Sequence, residues 1–183
     1  MTRVIWTIGH STRDFASFAG LLHSEDIALV ADVRRFPGSR RYPQFNQESL
    51  ASALATTGIG YRHYGELGGR RHMRSEHSPN TGWREEAFNA FADHTASPEF
   101  AVGLARLQRD AQEARTAIMC SEAVPWRCHR RLLADALIVS GWRVFDIIGP
   151  RKVEPHRLTE FARVTDGKIT YPADPLLRPD DTE

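Results

Sequence analysis

Short apolar runs recur along this chain, each closed by polar residues and most followed by a segment whose apolar residues fall at helical spacing. The runs are Arg3 to Ile8, Ala28 to Val33, Ile59 to Tyr64, Thr116 to Cys120 and Trp142 to Ile148. Phe15, Phe18, Leu21 and Leu22 form a helical stripe after the first, and Leu132, Leu133, Ala136 and Leu137 form another after the fourth. A period that switches repeatedly from strand to helix restricts the fold to the α/β class, and a run as apolar as Ala28 to Val33 suits a strand covered on both faces. The expected fold is a single compact α/β domain over residues 1–172, mainly a parallel sheet flanked by helices in Rossmann-like layers.

Local chemistry sets the boundaries. Ser11 or Thr12 can cap the first helix, Asn46 can cap one that ends near Gly58, and Ser97 followed by Pro98 opens one to about Ala114. Further helices are predicted over Trp83 to His94 and Cys128 to Ser140, with a short one around Arg157 to Phe161 and an extended piece at Lys168 to Tyr171. Residues 173–183, rich in Pro and Asp, read as a disordered tail. Two polar loops stand out, Arg35 to Phe45 and the stretch from Leu67 through Arg70, Arg71 and Arg74 to Gly82. The second is long enough to mark function, since structureless loops beyond about 12 to 15 residues are uncommon in compact domains.

The stretch from Met119 to Arg131 concentrates the chemistry. It holds both cysteines, Cys120 at a predicted strand end and Cys128 at a predicted helix start. In a parallel sheet the carboxyl ends of strands converge on a ligand crevice, which brings together His10 and Ser11, Asp32 and Arg34, Cys120 and Glu122, and Cys128 with His129. Arg127, His129, Arg130 and a helix amino terminus would all favour the thiolate of Cys128, the preferred nucleophile at this level. Two cysteines are too few for a disulfide framework and read as thiols. Zinc is the metal their ligand types allow, through Cys120, Cys128 and His129 with or without His10; no cofactor is expected, because no G-x-G-x-x-G or P-loop pattern occurs.

Of the 24 basic residues only Lys152 and Lys168 are lysine, and arginines gather at loop and element ends. Guanidinium forks so placed meet phosphate or carboxylate well, whereas a net charge of +1 argues against a broad nucleic-acid face. A 41% hydrophobic and 26% charged composition, with no apolar run near the roughly 20 residues of a membrane span and no charged-then-apolar leader, leads to the expectation of a cytoplasmic protein without a membrane partner.

Thr7-Ile8-Gly9-His10-Ser11, Leu29-Val30-Ala31-Asp32-Val33-Arg34 with Phe36-Pro37 and Ser39-Arg40, Leu67-Gly68-Gly69, Met119-Cys120-Ser121-Glu122 and Cys128-His129-Arg130 together resemble the domain of unknown function 488 family, from about Val4 to Ile148. The resemblance implies a compact α/β domain and singles out His10, Ser11, Asp32, Arg34, Ser39, Arg40, Cys120, Glu122, Cys128, His129 and Arg130. The expected function is an enzyme acting on an anionic substrate, a phosphate-bearing nucleotide or nucleic acid. Cys128 or Cys120 would be the nucleophile, and His10, Asp32, Glu122 and His129 would handle protons. Ser11, Arg34, Ser39, Arg40 and Arg130 would bind the anion. The alternative is a nucleic-acid or nucleotide-binding module with structural cysteines.

Overall fold

The computed structural model describes residues 3–69 and 77–173. Arg70, Arg71 and Arg74, and all of the expected tail except Ala173, lie outside the described residues. The elements run β1 (Val4–Gly9), α1 (Phe15–Ser24), β2 (Leu29–Asp32), α2 (Gln47–Thr56), β3 (Gly60–His63), α3 (Glu86–His94), α4 (Pro98–Glu113), β4 (Thr116–Cys120), α5 (Arg130–Val139), β5 (Arg143–Gly149) and β6 (Lys152–Pro155), then a hairpin of β7 (Arg163–Thr165) and β8 (Lys168–Thr170). One six-stranded sheet has the order β3-β2-β4-β1-β5-β6, parallel except for β6, which pairs antiparallel with β5. This is the α/β class that the alternating pattern predicts.

Alternate residues of the buried strands supply two cores. Ile5, Ala31, Ile118, Cys120 and Val144 pack with α4 and α5 through Leu107, Leu132, Leu133 and Leu137. Trp6, Ile8, Val30, Ala117 and Met119 pack with α1 and α2 through Phe18, Leu22, Leu50 and Leu54. From β1 the chain passes through α1 to β2, and from β4 through α5 to β5, so adjacent strands β1 and β4 send their connections to opposite sides of the sheet. Such a switch point leaves a crevice at the strands' carboxyl ends.

Register then sets what lines that crevice. Gly9 is opposite Cys120, Asp32 is opposite Met119, and the His10 and Ser11 amides donate to the carbonyls of Cys120 and Ser121 at 3.0 and 2.9 Å. At Gly9 a Cβ would fall 1.7 Å from the Glu122 carbonyl oxygen, so only glycine lets the β4 loop fold back over the end of β1.

Several boundaries differ from the sequence reading. Asp14, not Ser11 or Thr12, caps α1, its Oδ1 accepting from the Ser17 amide at 2.6 Å. Asn46 precedes α2, yet its Oδ1 accepts from the Ser39 amide at 2.6 Å and thereby closes the Arg35 to Phe45 loop. Ser97 does cap α4, accepting from the Phe100 amide. No helix forms over Arg157 to Phe161, because Thr159 is held by the carboxylate of Asp135. The helix expected from Trp83 starts at Glu86, and Trp83 packs instead against Phe88, Phe161 and Tyr171.

Candidate active site

A cavity of about 580 Å³ opens over the β1/β4 switch point, within the range typical of small-molecule sites. Its lining includes His10, Ser11, Arg34, Ser39, Cys120, Glu122, Cys128 and His129 from the sequence-derived set. Arg130 and Asp32 lie beneath it and Arg40 lies outside its lining. Arg35, Arg41 and Arg127 supply cationic side chains to the lining, with Phe36, Tyr42, Glu85 and Phe88.

The two thiols meet at the floor. Cys120 and Cys128 are both free, nearly fully buried, and their Sγ atoms are 2.7 Å apart. Cys128 is not in a helix: it is extended, at φ −146° and ψ 150°, and α5 begins two residues later. The Arg130 amide still reaches its sulfur at 3.3 Å. The charged end of Arg130 turns instead to Cys120. This arginine is fully buried, and its Nη1 donates to the Cys120 Sγ at 3.1 Å, to the Glu122 carbonyl at 3.3 Å and to the Ile8 carbonyl.

Among the described residues no carboxylate forms an ion pair with Arg130, and its Nη1 lies 3.1 Å from the Cys120 sulfur. Burial alone would raise the Cys120 pKa, but the hydrogen bond from Cys128 and the Arg130 charge outweigh it and bring the thiol below its ordinary range. Burial pushes Cys128 up, and its contact with the Cys120 anion pushes it further. Of the two thiols, Cys120 is therefore the more readily ionised and Cys128 the less. The amino terminus of α5 does reach Cys128 through the Arg130 amide, and with the Arg130 charge it favours that thiolate, but burial and the Cys120 contact outweigh both.

Asp32 and Arg34 close on each other. Arg34 spans both carboxylate oxygens of Asp32, at 2.9 and 2.6 Å, and its Nη2 also donates to the Phe45 carbonyl at 2.8 Å. The Tyr61 hydroxyl takes a further position on Asp32 at 2.6 Å. This buried pair leaves Arg34 little to offer a ligand and makes it a brace for the 35–45 loop. Arg34 Nη1 lies 3.4 Å from His10 Nε2, while His10 Nδ1 faces the Ser11 carbonyl at 3.0 Å. Those partners select the tautomer with the proton on Nδ1. Burial chiefly, with Arg34 beside it, lowers the His10 pKa to about 4, so the ring is neutral near pH 7. It stacks on Phe45 at 4.2 Å between centroids.

His129 is oriented by its Nε2 donating to the Val33 carbonyl at 3.1 Å, which leaves Nδ1 as an acceptor 3.6 Å from the Cys128 Sγ. The Gly68-Gly69 pair makes room for this arrangement. A Cβ on Gly69 would come 2.8 Å from His129 Nδ1, and one on Gly68 would come 2.6 Å from the Arg35 amide nitrogen. The Leu67-Gly68-Gly69 motif was therefore the sequence signal for a third wall of the site. The contributions of Glu85 and Phe88 had no such signal.

Ser11 holds a positive φ of 49° at the turn out of β1 and lines the cavity. Glu122 is exposed and lines the cavity. Among the described residues no three His, Cys, Asp or Glu side chains are arranged to hold a metal ion. Among the same residues no helix is long and apolar enough to cross a membrane.

A family model described as "Domain of unknown function DUF488" matches residues 14–137. No curated protein and no solved structure matches the chain.

Proposed function

From the premise that this chain belongs to the DUF488 family, we propose that it is a thiol-dependent enzyme acting on an anionic, phosphate-bearing nucleotide or nucleic-acid substrate, with Cys120 as the nucleophile. The observation that carries the reading is the Cys120 sulfur at the cavity floor, 3.1 Å from a buried guanidinium and 2.7 Å from the thiol of Cys128. A cation with no carboxylate partner among the described residues, in a site largely shielded from water, favours the thiolate, which is the attacking species. Glu122, the carboxyl open to the cavity, is the group placed to protonate a leaving atom, since Asp32 is shared between Arg34 and Tyr61.

Arg35, Arg41 and Arg127 supply charge for a phosphate, with Ser11 and Ser39 as neutral donors. Phe36, 66% exposed beside them, offers a ring face to a base. Alkylation of Cys120 and Cys128, followed site by site by mass spectrometry across pH, tests the nucleophile. Cys120 is expected to react with an apparent pKa below the usual value of about 8.5, well ahead of Cys128. Two thiols inert until the protein is denatured would remove the thiol mechanism and leave a binding module.

The ligand class has its own test. Phe36→Ala is expected to weaken binding of a fluorescent single-stranded oligonucleotide by about 5- to 150-fold, the loss of one stacked base at about 1–3 kcal/mol. Titration by anisotropy reads this directly, and an affinity unchanged by the substitution would exclude stacking on Phe36.

A further inference from the structure

We propose that Cys120 and Cys128 form a two-electron redox pair that reduces a small hydroperoxide and closes to a disulfide, disarming the nucleophile of the same site. This rests on the reading of Cys120 as the activated thiolate. The sulfurs are already 2.7 Å apart, so closing to the roughly 2.05 Å of a covalent bond needs little motion. They differ in role as an attacking and a resolving thiol must: Arg130 Nη1 faces Cys120, and His129 Nδ1 faces Cys128. Both line the cavity, yet Cys120 is 1% and Cys128 6% exposed, so a small oxidant fits and a bulky protein disulfide does not.

The chemistry balances in two steps. The Cys120 thiolate attacks the terminal oxygen of the hydroperoxide; an S–O bond forms and the O–O bond breaks. The departing alkoxide takes a proton from solvent and leaves as an alcohol, or as water when the oxidant is hydrogen peroxide, and Cys120 is a sulfenic acid. The Cys128 thiol then gives its proton to His129 Nδ1 and its sulfur attacks that of Cys120. The S–S bond forms as the S–O bond breaks, and the hydroxide released recovers the proton from His129 as water. Two thiols have been oxidised and one peroxide reduced. A small dithiol reverses the change by exchange. In the disulfide Cys120 carries no charge, and Arg130 loses the anion it faces.

The test treats the full chain with stoichiometric hydrogen peroxide and measures intact mass and non-reduced peptides. The expected result is loss of two hydrogens, a Cys120–Cys128 cross-link, loss of Cys120 alkylation, and restoration of all three by dithiothreitol. Cys128→Ser, checked for native circular dichroism, is expected to stop at a Cys120 sulfenic acid trapped by dimedone. If Cys120 of the unoxidised protein alkylates as an activated thiol but peroxide gives only sulfinic acid and no cross-link, the redox pair is overturned while the nucleophile stands. If Cys120 resists both reagents, the proposed function falls as well.

Discussion

Replacing Arg130 with methionine is expected to slow alkylation of Cys120 at pH 7 by about tenfold or more, because each unit of thiol pKa regained reduces the thiolate population about tenfold. The side chain is fully buried, and its Nη1 is the cationic contact of the Cys120 sulfur. Methionine fills similar space without charge. Stability should move much less. The carbonyls of Ile8 and Glu122 lose a donor, at about 1–3 kcal/mol for each acceptor left unsatisfied, but the protein no longer buries a guanidinium whose Nε has no hydrogen-bond partner among the described residues. These effects oppose each other. Arg130→Lys keeps the charge without the planar fork and is expected to restore part of the reactivity, which a purely structural role would not predict. A pH profile of Cys120 alkylation unchanged in Arg130→Met would remove the arginine from the activation of the thiol.

Asp135→Asn is expected to destabilise the protein by about 3–5 kcal/mol near pH 6, as removal of one partner from a buried ionic network does. Asp135 is fully buried and accepts from the Thr159 amide and hydroxyl, at 3.1 and 2.6 Å, and from the Tyr171 hydroxyl at 3.0 Å. His156 lies between it and Asp146, at 3.5 and 2.7 Å, and Thr7 donates to Asp146 from the neighbouring strand. The network ties α5, which begins at Arg130, to β1, β5 and the carboxyl-terminal segment.

Burial disfavours a charged His156, but the close contacts with Asp135 and Asp146, the second a hydrogen bond, and their negative charge outweigh it and raise the pKa to about 9. The folded state therefore holds this proton more tightly than the unfolded chain. The resulting stabilisation is complete below about pH 6.5 and is lost as pH rises through about 9. The Asp135→Asn penalty should accordingly shrink across that interval by up to about 3 kcal/mol, the free energy of the shift, with Asp146 retaining a share. Comparing denaturant unfolding of variant and parent at each pH cancels the opposing titration of Cys120, present in both. A penalty constant with pH would mean that Asp135 does not hold the added proton on His156.

Much of the architecture was legible before any coordinates. The apolar runs are the parallel strands, Ser97-Pro98 opens α4, and the polar residues closing β1, β2 and β4 meet at one crevice. Periodicity reports burial within one element, and a cap or a Pro acts within a turn, so a reader of neighbouring residues can find them. Directions were not legible. Arg130 follows Cys128 and His129 in sequence and reads as an anion binder at a helix start, yet α5 turns it beneath the sheet end to face Cys120. Arg34 reads the same way and is taken up by Asp32, two residues before it. His156 had no motif at all, because its partners lie on α5 and β5 and meet only when the sheet and the last segment close.

The sequence by itself determined the layers, the strand ends and the residue types at the crevice, since these follow from short-range sterics and from which faces must leave water. Only the tertiary structure decided which cation faces which anion. That pairing is set by register across β1, β2 and β4 and by the rotation of α5, quantities fixed by packing between segments distant in the chain, and it is this pairing that makes one thiol more acidic than the other.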